Sequence, residues 1–385
     1  MKVLIIHNQL WAHYKAIIFN ELQNIANQNT DFDLLVLQLA SIEKSRVGLG
    51  DAALFQHKYK YQLLSEGILE DLSLKDRITG ILKTIKSYQP DLVNLTGYYD
   101  IASWVALIYC KLNGIKTVLS NESTAGDHQR SFLKETFKRL IISQFNGFFN
   151  FGKLSKAYMM TLGGKESQML VNRNCVDNTL LAEIYSKAYP LRERRQQELN
   201  LPTHNFIFVG RLIEFKNLVR LLEAFSIAQN KSNADWGLIF LGTGEQKSVL
   251  QKEVAEKNIQ KVFFFEGVNW QEVPIYLSLS DVLVLPSYSE PWGLVVNEAM
   301  ACGLPVLVSE KCGSAYDLVQ AGLNGFTFQP LKMTELSEKL LKFMNKEVNT
   351  LEMSEASKKI IQEYSPENVA KEMFEGYKQL CRPRK

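Results

Sequence analysis

Short apolar runs alternate with amphipathic stretches through the first half of the chain. The apolar runs predict strands at residues 3–6, 34–37, 91–95 and 117–120. Ile17, Leu22 and Ile25 recur at helical spacing after the first run, and a later helix over residues 78–85 must end near Tyr88, because Pro90 disfavours helical geometry before it. This alternation is typical of a parallel sheet covered by helices.

The same rhythm starts again in the second half, after a charged stretch. Further strands are predicted at residues 206–209, 238–241, 262–265, 282–285 and 306–308. The pattern therefore predicts an α/β fold of two doubly wound domains. We expect an N-terminal domain over 1–190, a linker over 191–203, a C-terminal domain over 204–363 and a C-terminal helix over 364–385 that packs back toward the first domain.

Composition narrows the class of protein. The 385 residues carry a net charge of +3 with 22% charged residues, which favours neither disorder nor nucleic-acid binding. The five cysteines are odd in number and form no CxxC pair, which suggests reduced thiols rather than a zinc site. The apolar run at the start is too short for a secretory signal, and no run approaches 18 apolar residues. We therefore expect a cytoplasmic protein.

Two glutamates stand out in the segment 287–306, SYSEPWGLVVNEAMACGLPV. Glu290 lies in the loop after a predicted strand, and Glu298 lies about two turns into the next helix. Pro291 and Gly293 leave free N–H groups at the start of that helix, which is a natural site for a phosphate. A carboxylate such as Glu298 can accept both hydrogen bonds of a vicinal diol such as ribose.

Two cations follow another predicted strand. Arg211 comes directly after residues 206–209, and Lys216 comes five residues later, just before a predicted helix. A guanidinium and an ammonium at the edge of one sheet can neutralise a departing diphosphate without a metal ion. Gly242 and Gly244 follow the next predicted strand and would allow close backbone approach there.

Together these motifs resemble the GT-B-fold retaining glycosyltransferases of family 4. The resemblance rests on Gly210-Arg211, Lys216, Gly242-Thr243-Gly244, the E-x7-E pair Glu290 and Glu298, Gly303-Leu304-Pro305-Val306, Gly313 and Asn324-Gly325. It implies two Rossmann-like domains facing a cleft, with a nucleotide-sugar donor on the second domain and the acceptor on the first. Arg211, Lys216 and Glu290 would act in the transfer. The implied donor contacts are Gly210, Arg211, Lys216, Gly242, Gly244, Val268, Glu290, Pro291, Trp292, Gly293, Leu294 and Glu298.

The first domain departs from the family pattern. Many members carry paired glycines after the first strand, whereas this chain has none between residues 7 and 15. We assign the acceptor or sugar side of the cleft to residues after the predicted strands. They are His13, Tyr14, Lys15, Tyr98, Glu122 and His128. A histidine is frequent in members after the strand 117–120, and either Glu122 or His128 could take its place here.

Two other functions of the same fold, and three other motifs, are alternatives to glycosyl transfer. A nucleotide-sugar 2-epimerase can share the fold, but the E-x7-E pair with Arg211 and Lys216 argues for transfer instead. A non-catalytic nucleotide-sugar-binding protein would keep the fold and lose its site, whereas all four expected donor-site residues are present here. The sequence lacks GxGxxG after its first strand, and Glu166 replaces the Ser or Thr of a P-loop. The DxD of residues 31–33 lacks the context of a metal motif, so we expect neither metal nor cofactor. UDP is the favoured nucleotide.

The acceptor is expected to be a glycan, a lipid-linked molecule or a small molecule. Residues 130–149 predict a basic amphipathic helix followed by a strand, with Lys134, Lys138 and Arg139 on the helix. Such a helix either covers the first sheet or contacts an anionic membrane surface that carries the acceptor. We therefore expect peripheral contact with the cytoplasmic membrane face as one alternative.

Overall fold

The structure is a computed structural model that describes residues 1–47, 55–126 and 132–382, without the side chains of 132–134. The chain forms two compact units. Unit 1 contains Met1–Cys175 and Pro366–Lys385, and unit 2 contains Val176–Ser365. The units divide after Cys175, ahead of the 191–203 segment in which the sequence placed the linker. That segment contains a helix of unit 2.

Unit 1 is a parallel sheet with helices on both faces. Its described strands are β1 (Lys2–Gln9), β2 (Asp33–Ala40), β3 (Tyr61–Leu63), β4 (Leu92–Thr96), β5 (Lys116–Asn121), β6 (Gly147–Asn150) and β7 (Met169–Asn172). Its described helices are α1 (His13–Gln28), α2 (Leu74–Tyr88), α3 (Ile101–Leu112), α4 (Phe132–Ile142), α5 (Gly152–Thr161) and, from the chain's end, α15 (Pro366–Cys381). The described strands are ordered β3-β2-β1-β4-β5-β6-β7.

Alternation along β1 explains the two layers of helices. Val3 and Ile5 point to one face and join a buried cluster with residues of α1 and α15. Leu4 and Ile6 point to the other face and join a cluster with residues of α2 and α3. All four side chains are at most 2% exposed, so β1 is apolar at successive positions because both its faces are covered.

The predicted C-terminal helix packs onto the first domain. Helix α15 lies against α1, and Tyr377 is fully buried in that cluster. The hydroxyl of Tyr377 accepts a hydrogen bond of 2.8 Å from the Asn94 side chain on β4. The expectation that the C-terminal helix packs back onto the first domain is therefore confirmed.

Unit 2 repeats the architecture with a smaller sheet. Its described strands are β8 (His204–Val209), β9 (Trp236–Leu241), β10 (Val262–Phe265), β11 (Val282–Leu285), β12 (Val306–Ser309) and β13 (Gly325–Phe328), in the order β10-β9-β8-β11-β12-β13. Its described helices are α6 (Asn178–Ala188), α7 (Arg192–Glu198), α8 (Leu218–Lys231), α9 (Lys247–Glu256), α10 (Val273–Leu277), α11 (Leu294–Ala301), α12 (Ala315–Leu318), α13 (Met333–Met344) and α14 (Thr350–Ile361). Two parallel α/β sheets confirm the predicted fold class.

The sequence missed three short strands. They are β3, β7 and β13. Each has only three or four residues, and β13 begins at Gly325, a residue that weakens strand patterns. In the structure a Cβ on Gly325 would stand 1.9 Å from the carbonyl oxygen of Val306, so the close approach of β12 requires glycine here.

Candidate functional site

Several of the predicted donor contacts lie in loops of unit 2 at the point where the strand order reverses. Strand β8 has β9 on one side and β11 on the other. In such sheets ligands bind outside the carboxyl ends of the strands at this switch point. Arg211 follows β8, and Glu290 follows β11. The topology therefore brings together two loops that are about 80 residues apart in the sequence.

Lys216 and Glu290 form an ion pair across these loops. The Lys216 ammonium contacts Oε2 of Glu290, and both side chains are less than one-fifth exposed. The backbone fixes the pair, because the Tyr288 N–H donates to the carbonyl of Phe215 at 2.9 Å. Arg211 is exposed, and its guanidinium has no ion pair or hydrogen bond among the described residues. Lys216 is therefore held by a carboxylate, whereas Arg211 is available to bind an anion.

A second loop holds the backbone of Glu290. The Glu290 N–H donates to the carbonyl of Lys311 at 3.1 Å, and its own carbonyl accepts from Gly313 N–H at 2.9 Å. A Cβ on Gly313 would stand 1.9 Å from the carbonyl oxygen of Pro291, so only glycine fits this approach. The segment after β12 thus fixes the orientation of the Glu290 loop.

Three glycines lie in the loops after β8 and β9, near Arg211 in the sequence or across the sheet edge. Gly210 and Gly242 follow the adjacent strands β8 and β9, with φ of 143° and 153°. A Cβ on Gly242 would stand 1.9 Å from the carbonyl oxygen of Gly210, and one on Gly244 would stand 2.3 Å from that of Leu212. The glycines therefore allow the backbone after β9 to approach the backbone after β8 closely. Val268 lies half-buried after the neighbouring β10.

Helix α11 starts directly behind Glu290. Gly293 precedes its first residue, Leu294, in the left-handed conformation with φ of 86°. Trp292 is 3% exposed, and its indole N–H donates to Asn297 at 2.8 Å, so this ring anchors the start of the helix. Pro291 is exposed beside it. The N–H groups of the first turn of α11 can donate hydrogen bonds to an anion at this end of the sheet.

Glu298 lies on α11 without an internal partner. Its side chain is half-buried, and no described residue donates a hydrogen bond to it or forms an ion pair with it. Burial raises the pKa of its carboxyl from 4.5 to about 7. A desolvated carboxylate without a donor is poised to accept hydrogen bonds from a ligand's hydroxyl groups.

This environment makes Glu298→Gln stabilising at alkaline pH. As pH rises above 4.5 the unfolded state loses the Glu298 proton first, so the folded state is progressively destabilised up to the folded pKa near 7. The full penalty, on the order of 3 kcal/mol at ~1.36 kcal/mol per pKa unit, applies above that pH. We expect Glu298→Gln to raise the melting temperature more at pH 8 than at pH 5, as measured by thermal unfolding. Equal shifts at both pH values would contradict the buried, unpaired carboxylate.

Sequence reasoning missed two polar residues that build this site. Asn217 is buried with φ of 59°, and its amide donates to the carbonyls of Pro286 and Pro330 at 3.0 and 2.9 Å. It therefore fixes the Lys216 turn against the end of β11. An Asn directly before a helix was the available signal, since Asn tolerates the left-handed region. Ser314 is fully buried near Gly293, and its hydroxyl has no partner among the described residues.

The structure brings two of the proposed acceptor residues together in unit 1. Lys15, in the first turn of α1, is 7% exposed, and its ammonium lies 3.6 Å from Glu122 after β5. The same ammonium lies 3.5 Å from the centre of the Phe151 ring. Burial lowers the pKa of Lys15, and Glu122 opposes that shift. Because β1 and β4 flank the strand-order reversal of this sheet, the pair lies where a ligand of unit 1 would bind.

His13 and Tyr14 lie beside that pair. Burial lowers the pKa of His13 to about 4, with the charge of Arg46 acting in the same direction, so its ring is neutral at pH 7. Burial raises the pKa of Tyr14, and the charge of Glu122 adds to the effect. Both aromatic groups are therefore uncharged at neutral pH.

Tyr98 belongs to a separate aromatic cluster. It is 2% exposed after β4, and its hydroxyl bonds to that of Tyr99 at 2.9 Å. The Tyr99 ring faces the ammonium of Lys138, which donates to the Tyr158 hydroxyl at 2.8 Å. His128 lies outside the described residues, so the choice between Glu122 and His128 is still a sequence-based alternative.

Groups of acidic, cysteine and histidine side chains that could hold a metal ion are not found in the described part of the chain. Asp33 of the literal DxD forms an ion pair with Lys60 at 2.9 Å and accepts a hydrogen bond from Tyr88. A cavity of about 880 Å³ elsewhere in unit 2 is lined by Tyr185, Tyr189 and other residues, none of which is a proposed donor contact.

Comparisons with curated proteins point to one activity class. An uncharacterized glycosyltransferase of Methanocaldococcus jannaschii is 24% identical over 219 residues, which cover 51% of this chain and 60% of that protein. The lipopolysaccharide glucosyltransferase WaaG of Escherichia coli is 30% identical over 166 residues, which cover 43% of this chain and 41% of WaaG. The chain thus spans less than two thirds of the length of these relatives.

A solved structure shares the fold of the whole chain, and a family model matches most of unit 2. The HepE protein of Anabaena has been solved with UDP and also with UDP-glucose. This chain superposes on the UDP-bound form with a TM-score of 0.73 at 20% identity, covering 98% of this chain and 100% of HepE. Residues 191–362, which contain Arg211, Lys216, Glu290 and Glu298, match the model of the family described as Glycosyl transferases group 1. The proposed donor contacts Arg211, Lys216, Glu290 and Glu298 therefore lie in the segment of the chain that is similar to the glycosyl transferases group 1.

Proposed function

We propose that the protein is a retaining, metal-independent glycosyltransferase that moves a sugar from a nucleoside-diphosphate sugar to an acceptor hydroxyl. The observation that carries this proposal is the cluster at the strand-order reversal of unit 2. There Arg211 and the Lys216–Glu290 ion pair share one sheet edge with the start of α11. Two cations and a helix N-terminus are suited to a diphosphate, and the unpartnered carboxylate of Glu298 is suited to a ribose diol.

The chemistry follows from the charge that the site must stabilise. When the bond from the sugar to the diphosphate breaks, negative charge develops on the phosphate and positive charge on the sugar. Arg211, Lys216 and the N–H groups of α11 offset the first, and the Glu290 carboxylate offsets the second. In the retaining reaction of this family the acceptor attacks the face that the diphosphate leaves. We assign no protein nucleophile, and the departing phosphate takes the acceptor's proton.

UDP is the proposed nucleotide, and the acceptor is proposed to be a glycan or a lipid-linked glycoconjugate at the cytoplasmic membrane face. HepE, which shares the fold, binds UDP and UDP-glucose. WaaG and the lipopolysaccharide 1,6-galactosyltransferase of Escherichia coli are named for lipopolysaccharide acceptors. These relatives support a role in cell-surface polysaccharide or glycolipid synthesis.

Activity should survive complete removal of divalent metal. Because two side-chain cations supply the positive charge, we expect unchanged UDP release in excess chelator, measured with a panel of UDP-sugars and acceptors. A loss of turnover that manganese or magnesium restores would contradict the proposal. Release that needs an acceptor indicates transfer, whereas a rearranged sugar without acceptor indicates the 2-epimerase. UDP binding without turnover of any donor indicates a non-catalytic protein.

A further inference from the structure

Helix α3 is apolar on its exposed face as well as on its buried face. Ala102, Ala106 and Cys110 are at most 1% exposed and pack into the core. On the other side Ile108 and Leu112 are 58% and 81% exposed, and Ile101 continues the same stripe at 48%. A surface helix normally carries polar residues there, and a helix that is apolar all round normally lies in a core or a membrane.

Helix α4 extends this apolar face. Phe137 and Leu140 are 48% and 63% exposed, and the ring of Phe137 packs edge-on against Trp104 of α3 at 5.1 Å between centroids. Lys138 is turned inward, where its ammonium bonds to Glu135 and to the Tyr158 hydroxyl, each at 2.8 Å. The α3–α4 surface is defined by Ile101, Trp104, Ile108, Leu112, Phe137 and Leu140.

Among the side chains that the structure describes, the exposed charges on α3 and α4 are basic. Lys111 and Arg139 are exposed on α3 and α4, and Lys111 also bonds to Gln144 after α4. The nearby acids are neutralised, since Asp100 pairs with Arg77 at 2.6 Å and Glu135 pairs with Lys138. Neither Lys111 nor Arg139 forms an ion pair among the described residues, and an exposed apolar patch with such cations at its edge matches an anionic lipid surface, to which each basic residue near the membrane adds attraction.

We propose that the α3–α4 surface docks the protein onto an anionic lipid bilayer. The proposal rests on the proposed function in one respect, a lipid-linked acceptor, and it names the surface that meets the lipid. Helix α3 has 12 residues, about 18 Å at ~1.5 Å per residue, against roughly 30 Å of hydrocarbon. None of the helices in the described part of the chain is long and apolar enough to cross a membrane. The surface therefore lies in the interface rather than through it.

The position of the surface suits an acceptor held in lipid. The loop after β4, which carries Tyr98 and the half-exposed Tyr99, leads directly into α3. Ligands of such a sheet bind at these carboxyl ends. Docking through α3 and α4 would thus hold the edge of unit 1 close to the headgroup layer, where a lipid-linked sugar lies.

Vesicle binding by the full chain tests the proposal without using activity. We expect co-sedimentation with vesicles of phosphatidylglycerol and phosphatidylcholine, weaker binding to phosphatidylcholine alone, and weaker binding at high salt. The double variant Leu112→Ser/Leu140→Ser should lose about tenfold or more in partitioning, since each leucine inserts apolar area. Arg139→Gln should lower binding to the anionic vesicles and leave binding to the neutral ones unchanged.

Matched variants separate this surface from general stickiness. Leu351 on α14 is 78% exposed, so Leu351→Ser removes an equally exposed leucine from unit 2 and should leave partitioning unchanged. UDP titration should give the same affinity for all variants. Failure of the docking proposal can then be distinguished from failure of the proposed donor site. Equal binding of wild type and the double variant would overturn the proposal. So would a concentration-dependent dimer that the double variant abolishes, since the surface would then bind a second copy.

Discussion

Lys216→Ala lowers kcat/KM by roughly 10²-fold or more, the scale expected for loss of one charge contact in the transition state. Arg211→Ala has an effect of the same order, because both side chains lie at the end of β8 where the diphosphate is proposed to leave. Steady-state UDP release with the intact donor measures both. The matched control is Lys359→Ala, which removes an exposed lysine from α14 and should retain full activity.

The ion pair complicates the lysine variant in a way that can be measured. Lys216→Ala leaves the Glu290 carboxylate, which is 18% exposed, without its cation. Some loss of stability is therefore expected from an uncompensated charge. The double variant Lys216→Ala/Glu290→Gln should regain that stability and remain inactive. If a folded Lys216→Ala protein turned over at the wild-type rate, the proposed diphosphate position would be wrong.

The two glutamates should give opposite effects on binding and turnover. Glu290→Gln should lower kcat, because its charge meets the positive charge that develops on the sugar. It should leave UDP affinity unchanged or raise it, since the Lys216 ammonium is freed from the ion pair for the phosphate. Calorimetric titration with UDP, beside kinetics with the donor, makes the comparison.

Glu298→Gln should instead weaken UDP and donor binding alike, by roughly tenfold or more, because hydrogen bonds to a charged group contribute about 1.5–3 kcal/mol each. Only the ionised carboxylate accepts from both ribose hydroxyls. With its pKa near 7, wild-type affinity for UDP should rise from pH 6 to pH 8, and the variant should lose that rise. Glu338→Gln, an exposed site on α13, is the control. Loss of UDP binding in Glu290→Gln but not in Glu298→Gln would show that the two roles are reversed.

Periodicity along the sequence was enough to predict the two sheets. Strands such as β1 and β8 are covered on both faces, so their apolar runs are continuous and easily recognised. The loops after these strands were also visible as candidate sites, since Arg211, Lys216 and Glu290 interrupt the apolar pattern at strand ends. The strands β3, β7 and β13 were missed, because they lie at the ends of the two sheets and their runs YQL, MLVN and GFTF include polar residues or glycine.

Only the tertiary structure decided which of these groups meet. Lys216 pairs with Glu290, and Arg211 does not, because Asn217 and the Phe215–Tyr288 hydrogen bond fix one turn against the next loop. The raised pKa of Glu298 likewise depends on burial, and its helix α11 packs against α6 and α14, which are distant in sequence. The exposed apolar face of α3 was also decided by the tertiary structure. Its sequence is apolar on all sides, like that of a core helix, and only the fold shows which side is exposed. Residue types and spacing determine local structure and chemical capacity, whereas charge pairing and burial are set by contacts between segments that the sequence keeps far apart.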